Sequence, residues 1–200
     1  MSVTLESGIG ILLSVGALAV AGFLAALHVL PTGLSPIRNP VSQYALTRYG
    51  RLYRGATLAA GFTGVVAAGL LLLRYSGVAA MVTTVLLLVF AVARLLIGFF
   101  PMDAPAAPRT RTGRTHNFLA FAAFGAVTAA AFVAGGAFHD NGEPTLATLS
   151  TAAGVVMAVG TVGMLVTARS KRGFGLAERF IYLGFIAWFL VVGISAATTA

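Results

Sequence analysis

Cysteine is absent from this 200-residue chain. Its absence removes disulfides, thiol nucleophiles, thiolate zinc sites and Cys-linked haem. Charge is scarce as well: 9% of residues are charged and 58% are hydrophobic, with a mean hydropathy of +0.95. Soluble domains carry about a quarter charged residues, so a water-soluble fold is excluded and a bilayer suits the composition. Acidic residues number five, and none falls in the middle of an apolar run. A proton or ion path wants carboxylates at the midplane, so a small transporter or channel is the third choice of function. The motifs HExxH and GxSxG are missing, which leaves no zinc-protease helix and no nucleophile elbow to read. MSVTLESGIG at the start holds no basic residue. The apolar run that follows is too long for a signal h-region, and it reads as a retained span.

What is present is six apolar runs, near residues 8–30, 54–73, 78–100, 116–138, 146–168 and 177–198. A helical span needs roughly 20 such residues, and in lipid the backbone must satisfy its own polar groups. Alternating strands are missing, which argues against a barrel. The expectation is therefore an all-α fold: a polytopic bundle of six transmembrane helices, in a single domain over residues 1–200. LPTGLSPIRNP, FPMDAPAAPRTRTGRT, HDNGEPT and RSKRGFG punctuate the chain with the proline and glycine that end helices. The short link RYSG makes the second and third spans antiparallel neighbours. Small residues recur at four-residue spacing, as Ala17, Ala21 and Ala25 in the first span and Ala60, Gly64 and Ala68 in the second. Such ridges let membrane helices approach closely.

Net charge is +8, and its placement is one-sided. Arg38, Arg48, Arg51 and Arg54 follow the first span. Arg109, Arg111 and Arg114 follow the third. Arg169, Lys171 and Arg172 follow the fifth, with Arg179 entering the sixth. These connections share one face, and Arg74 is the loop cation on the other. Cytoplasmic loops carry the Lys/Arg excess, so the basic face is expected inside and both termini outside. Clusters at a membrane surface suit anionic lipid rather than nucleic acid, which needs a continuous basic face. Tyr44, Tyr49 and Tyr53 are expected at headgroup level as an aromatic belt, beside a short interfacial turn that carries Arg48, Arg51 and Arg54 into the second span.

Polar groups in a membrane protein are costly and point to function. Here they gather toward the basic face: His28, Ser42, Tyr44, Arg94, Asp103, His116, Glu178 and Arg179. Each has an ordinary structural role open to it. A helix-end histidine bonds a carbonyl, Arg94 snorkels or pairs with Asp103 or Glu178, and Asp103 caps a turn. As a group they suggest more. Arg94, Tyr44, Arg48, Arg51, Glu178 and Arg179 are the candidate ligand-binding residues, because arginine binds phosphate in a bidentate way. His28, Asp103 and His116 are the candidate metal ligands, able to activate water. Ser42, His116 and Asp103 offer a nucleophilic triad. No cofactor is assigned.

The same residues carry a resemblance. A helix ends in His28, NPVSQY follows, GFFPMD closes the third helix, GRTHNF opens the fourth and GLAERF opens the sixth. This pattern resembles the prokaryotic six-helix integral membrane family known as domain of unknown function 998. It is similar, more distantly, to membrane proteins of the Frag1/DRAM type. The resemblance implies a multi-pass protein of a prokaryotic plasma membrane. It marks the candidate positions without implying a reaction, and the distant likeness implies an outward-facing first loop, opposite to the charge count. The leading expectation is a non-enzymatic protein binding lipid, anionic lipid included, or a protein partner or second copy. The alternative is a membrane-embedded hydrolase or transferase acting on a lipid headgroup, with or without a metal.

Overall fold

In the computed structural model, residues 2–170 and 172–198 are described; Lys171, read above as part of the basic face, lies outside the described residues. Six long helices follow one another: α1 (Ser2–Val29), α2 (Gly50–Arg74), α3 (Val78–Ile97), α4 (Arg111–Asp140), α5 (Pro144–Thr167) and α6 (Phe174–Thr198). All six are long and apolar enough to cross a membrane. A 3-10 turn, Val41–Leu46, lies in the first loop; the interfacial turn expected to carry Arg48, Arg51 and Arg54 falls after it, and Arg51 and Arg54 belong to α2 itself. No strand occurs among the described residues.

The helix ends follow local chemistry. Gly77 precedes α3 at φ 95°, a left-handed conformation that glycine alone adopts freely. Pro144 opens α5, where its missing N–H costs nothing. The Thr110 hydroxyl caps α4 by accepting from the Gly113 N–H at 3.0 Å, a contact that satisfies an orphan donor.

Each helix packs against its neighbours in the chain, and α6 returns to α1, so the bundle closes as a ring. Small residues set the close approaches. A Cβ on Gly10 would stand 2.6 Å from the Gly193 carbonyl oxygen of α6, and one on Gly160 of α5 would stand 2.6 Å from that of Ala177. The ridge Ala60, Gly64 and Ala68 is buried. The ridge expected in α1 is not: Ala17 is buried, but Ala25 faces outward, and the inward face runs through Leu13, Ala17, Val20, Leu24 and Leu27. Those five follow the three-and-four spacing of one helix face, and strict four-residue spacing drifts off it.

Aromatic residues fill the middle. Phe90 of α3 lies 5.4 and 5.9 Å from Phe185 and Phe189 of α6, and Trp188 stacks beside Phe189 at 5.3 Å. Between helices in lipid, such packing takes the place of the hydrophobic effect. At the end away from the basic loops, Arg74 and Glu143 form an ion pair at 2.6 Å. The Tyr75 hydroxyl donates to the other Glu143 oxygen at 2.8 Å. Burial, and then that hydrogen bond, push the Tyr75 hydroxyl well above its ordinary range.

Candidate functional site

Arg94 lies one turn before the end of α3, and only 1% of it is exposed. Its Nη2 donates to the Tyr182 hydroxyl of α6 at 2.8 Å. The guanidinium also lies 5.2 Å from the Tyr182 ring centre and 5.9 Å from that of Phe124, within cation–π range. Its Nε has no hydrogen-bond partner among the described residues. A buried donor left unpaired costs free energy, so this atom is the least satisfied part of the cluster.

Arg94 borders a pocket of about 390 Å³ near the basic end of the bundle, within the roughly 300–1,000 Å³ of small-molecule sites. Tyr53 of α2 and Ile97 of α3 form one wall. Ser42 and Met102 close it from two loops. His116 and Asn117 stand at the start of α4, and Glu178 at the start of α6. The rest is mostly apolar, from Phe121 and Phe124 to Met164 and Leu165.

The polar lining groups are held from behind. Glu178 is buried, and its Oε2 accepts the Val41 N–H at 2.7 Å. It thus caps the 3-10 turn while lining the pocket. His116 is buried, with Nδ1 bonded to the Phe100 carbonyl at 2.7 Å. A carbonyl only accepts, so Nδ1 carries a proton, and in the neutral ring Nε2 is the acceptor. Ser42 donates from Oγ to the Met102 sulfur at 3.2 Å.

The remaining candidates lie elsewhere. Arg179 is engaged on all three of its nitrogens: its Nε donates to His28 Nε2 at 2.6 Å, and its Nη1 to the Gly175 and Asn39 carbonyls at 2.8 and 3.1 Å. Its Nη2 reaches the Tyr44 hydroxyl at 3.4 Å. His28 bonds the Leu24 carbonyl through Nδ1 and packs edge-on to Tyr44 at 5.7 Å. These three residues clasp the first loop to α1 and α6 beside the pocket. None of them lines it. Arg48 and Arg51 are exposed and do not line the pocket, and Arg48 stacks on Tyr49 at 4.7 Å. The expected aromatic belt is mostly turned inward, because Tyr44 and Tyr53 are buried and Tyr49 alone is half-buried.

Asp103 belongs to α4 rather than to the pocket. Its carboxylate accepts from the Thr110 hydroxyl at 2.6 Å and from the Thr110 N–H at 3.1 Å, and it lies against Gly113. Those two hydrogen bonds, with Arg109 and Arg114 nearby, hold the carboxyl below the usual carboxylate range. The triad of Ser42, His116 and Asp103 is therefore not assembled, since a backbone carbonyl orients His116 and Thr110 engages Asp103. His28, Asp103 and His116 do not come together as metal ligands. Among the described residues no group of three His, Asp or Glu is placed to hold a metal ion. Arg94 is not in an ion pair with Asp103 or Glu178 either; Arg74 with Glu143 is the pair found among the described residues.

Sequence reading missed Tyr182, Phe124 and Asn117. Tyr182 stands four residues after Glu178, on the same helix face, and that spacing was a usable signal. Phe124 and Asn117 gave none.

The architecture is thus a six-helix membrane bundle with a pocket at its basic end that is bordered by the buried Arg94 and Glu178. The sequence matches the family described as protein of unknown function (DUF998) over residues 14–195, and the chain belongs to that family. Neither the curated proteins nor the solved structures contain a match.

Proposed function

We propose that this protein binds a membrane lipid by its headgroup in the pocket around Arg94, with the basic face in the cytoplasm of a prokaryotic cell and the bundle in its plasma membrane. One observation carries the reading: a buried guanidinium with its Nε unpartnered borders a pocket whose lining is mostly apolar. Unpaired buried charge is expensive, and a phosphate or carboxylate oxygen is the natural partner. Gentle detergent release followed by native mass spectrometry tests it. The wild type retains a discrete adduct of lipid mass, and Arg94→Gln loses it. A bare protein mass in both contradicts the reading.

A second reading is enzymatic. It is favoured by His116 and Ser42 lining the same pocket, where His116 would take the proton of an attacking water or Ser42 hydroxyl and return it to the leaving oxygen of the headgroup ester. It predicts slow turnover of a lipid added in micelles, lost in His116→Ala. Turnover unchanged in that variant, or none in the wild type, removes it.

A further inference from the structure

Arg94 and Glu178 border one pocket, both are buried, and they are not paired with each other. Glu178 uses Oε2 on the Val41 N–H, and Arg94 uses Nη2 on Tyr182. Each therefore keeps polar capacity that the protein leaves unmet. Opposite charges buried near each other in a bundle ordinarily pair, because separation forfeits their attraction in a low dielectric. A ligand with one charge would answer one group and leave the other stranded. A ligand with both answers both.

The walls indicate where such a ligand comes from. In their far halves α4 and α5 are pinned together: Ser150 donates to the Ala131 carbonyl at 2.8 Å, and Phe132 lies against Gly154. In their near halves the pocket runs between them, bordered by Phe121 and Gly125 of α4 and Leu165 of α5. Phe121 is 73% and Leu165 68% exposed, on helix surfaces that the bilayer covers. A side chain built on Gly125 meets nothing within 4 Å. The pocket thus opens sideways, toward acyl chains.

We infer that the pocket seats a zwitterionic phospholipid that enters from the bilayer between α4 and α5, its phosphate at Arg94, its ammonium at Glu178 and its acyl chains leaving through the same gap. The inference rests on the lipid-binding reading above and narrows it to a headgroup class and a route. Arginine suits the phosphate through its fork of donors, and a carboxylate suits a primary ammonium with several N–H donors. The apolar lining between the helices suits the first methylenes of the chains.

The test uses the full chain in nanodiscs of equal parts phosphatidylethanolamine and phosphatidylglycerol, with retained lipid read by native mass spectrometry. Wild type is expected to hold phosphatidylethanolamine over phosphatidylglycerol by roughly tenfold or more, about 1.4 kcal/mol. Glu178→Gln, which keeps an acceptor for Val41, brings the two lipids level. Arg94→Gln loses both. Gly125→Leu, which has room to fold, lowers loading of both from the bilayer. Equal retention in wild type, or preference for phosphatidylglycerol, overturns the zwitterion while lipid binding stands. No retained lipid overturns both readings. Full displacement by water-soluble phosphoethanolamine, with Gly125→Leu unaffected, overturns the lateral route.

Discussion

The Nη2 of Arg94 on α3 lies 2.8 Å from the Tyr182 hydroxyl on α6, while Nε of the same guanidinium has no hydrogen-bond partner among the described residues. One nitrogen of the group is fixed, and another is buried without a partner. Tyr182→Phe removes the fixing oxygen and keeps the ring. The expected cost is about 0.6–1.7 kcal/mol, the scale of interhelical hydrogen bonds in membranes, with weakened lipid retention because the guanidinium is no longer aimed. Unfolding in a denaturing detergent series, paired with adduct counting, checks both. Unchanged values in each would show that the contact neither stabilises nor orients.

Arg179 contrasts with Arg94, since its donors are spent on His28, Asn39, Gly175 and Tyr44. Arg179→Ala should loosen the first loop from α1 and α6 at a cost of about 1.5–3 kcal/mol, the range for charged hydrogen bonds. Limited proteolysis within residues 31–40 should accelerate. A loop as resistant as in wild type would remove the clasp.

Asp103 makes a pH prediction. Its folded pKa is depressed by the Thr110 hydrogen bonds. Its contribution to stability is therefore present above the unfolded value of about 3.9 and is lost as pH falls through the folded value. Exchange protection at the start of α4, corrected for intrinsic rates, should stay flat from about pH 8 to 5. It should drop only in stronger acid. Asp103→Ala should remove that protection at neutral pH without changing lipid retention. Lost retention would return Asp103 to the site.

Orientation is directly measurable because the chain has no cysteine. Single cysteines at Ser170 and at Asn141 should label from opposite sides of the membrane. The positive-inside rule places Ser170 in the cytoplasm. The reverse labelling would mean that the loop arginines do not set the topology.

Much of the fold was legible because hydropathy in lipid is a strong signal. The six apolar runs correspond to α1–α6, with differences at the ends that have a physical cause. Apolarity marks the bilayer core, whereas helices continue into the interface. Thus α4 starts at Arg111, five residues before its apolar run, because Thr110 and Asp103 cap RTGRT as helix. In the other direction, α3 stops at Ile97, ahead of Gly98 and Pro101. The site was only partly legible. Position along the chain put His28, Ser42, Arg94, Asp103, His116, Glu178 and Arg179 near one end of the bundle. It did not show that Arg179 points at His28 while Arg94 points into a pocket. That distinction depends on the rotation of each helix about its axis, which α6 resolves by burying Glu178 and Tyr182 together. Tyr44 and Tyr53 misled for the same reason: an aromatic residue near a membrane boundary suits the headgroup belt and the interior equally well.

The central claim is most directly tested by an experimental structure of the protein in a bilayer nanodisc that contains phosphatidylethanolamine. The account predicts headgroup density in contact with the Arg94 guanidinium, continued by chain density between Phe121 and Leu165. An empty pocket in which Arg94 has swung onto Glu178 would contradict it.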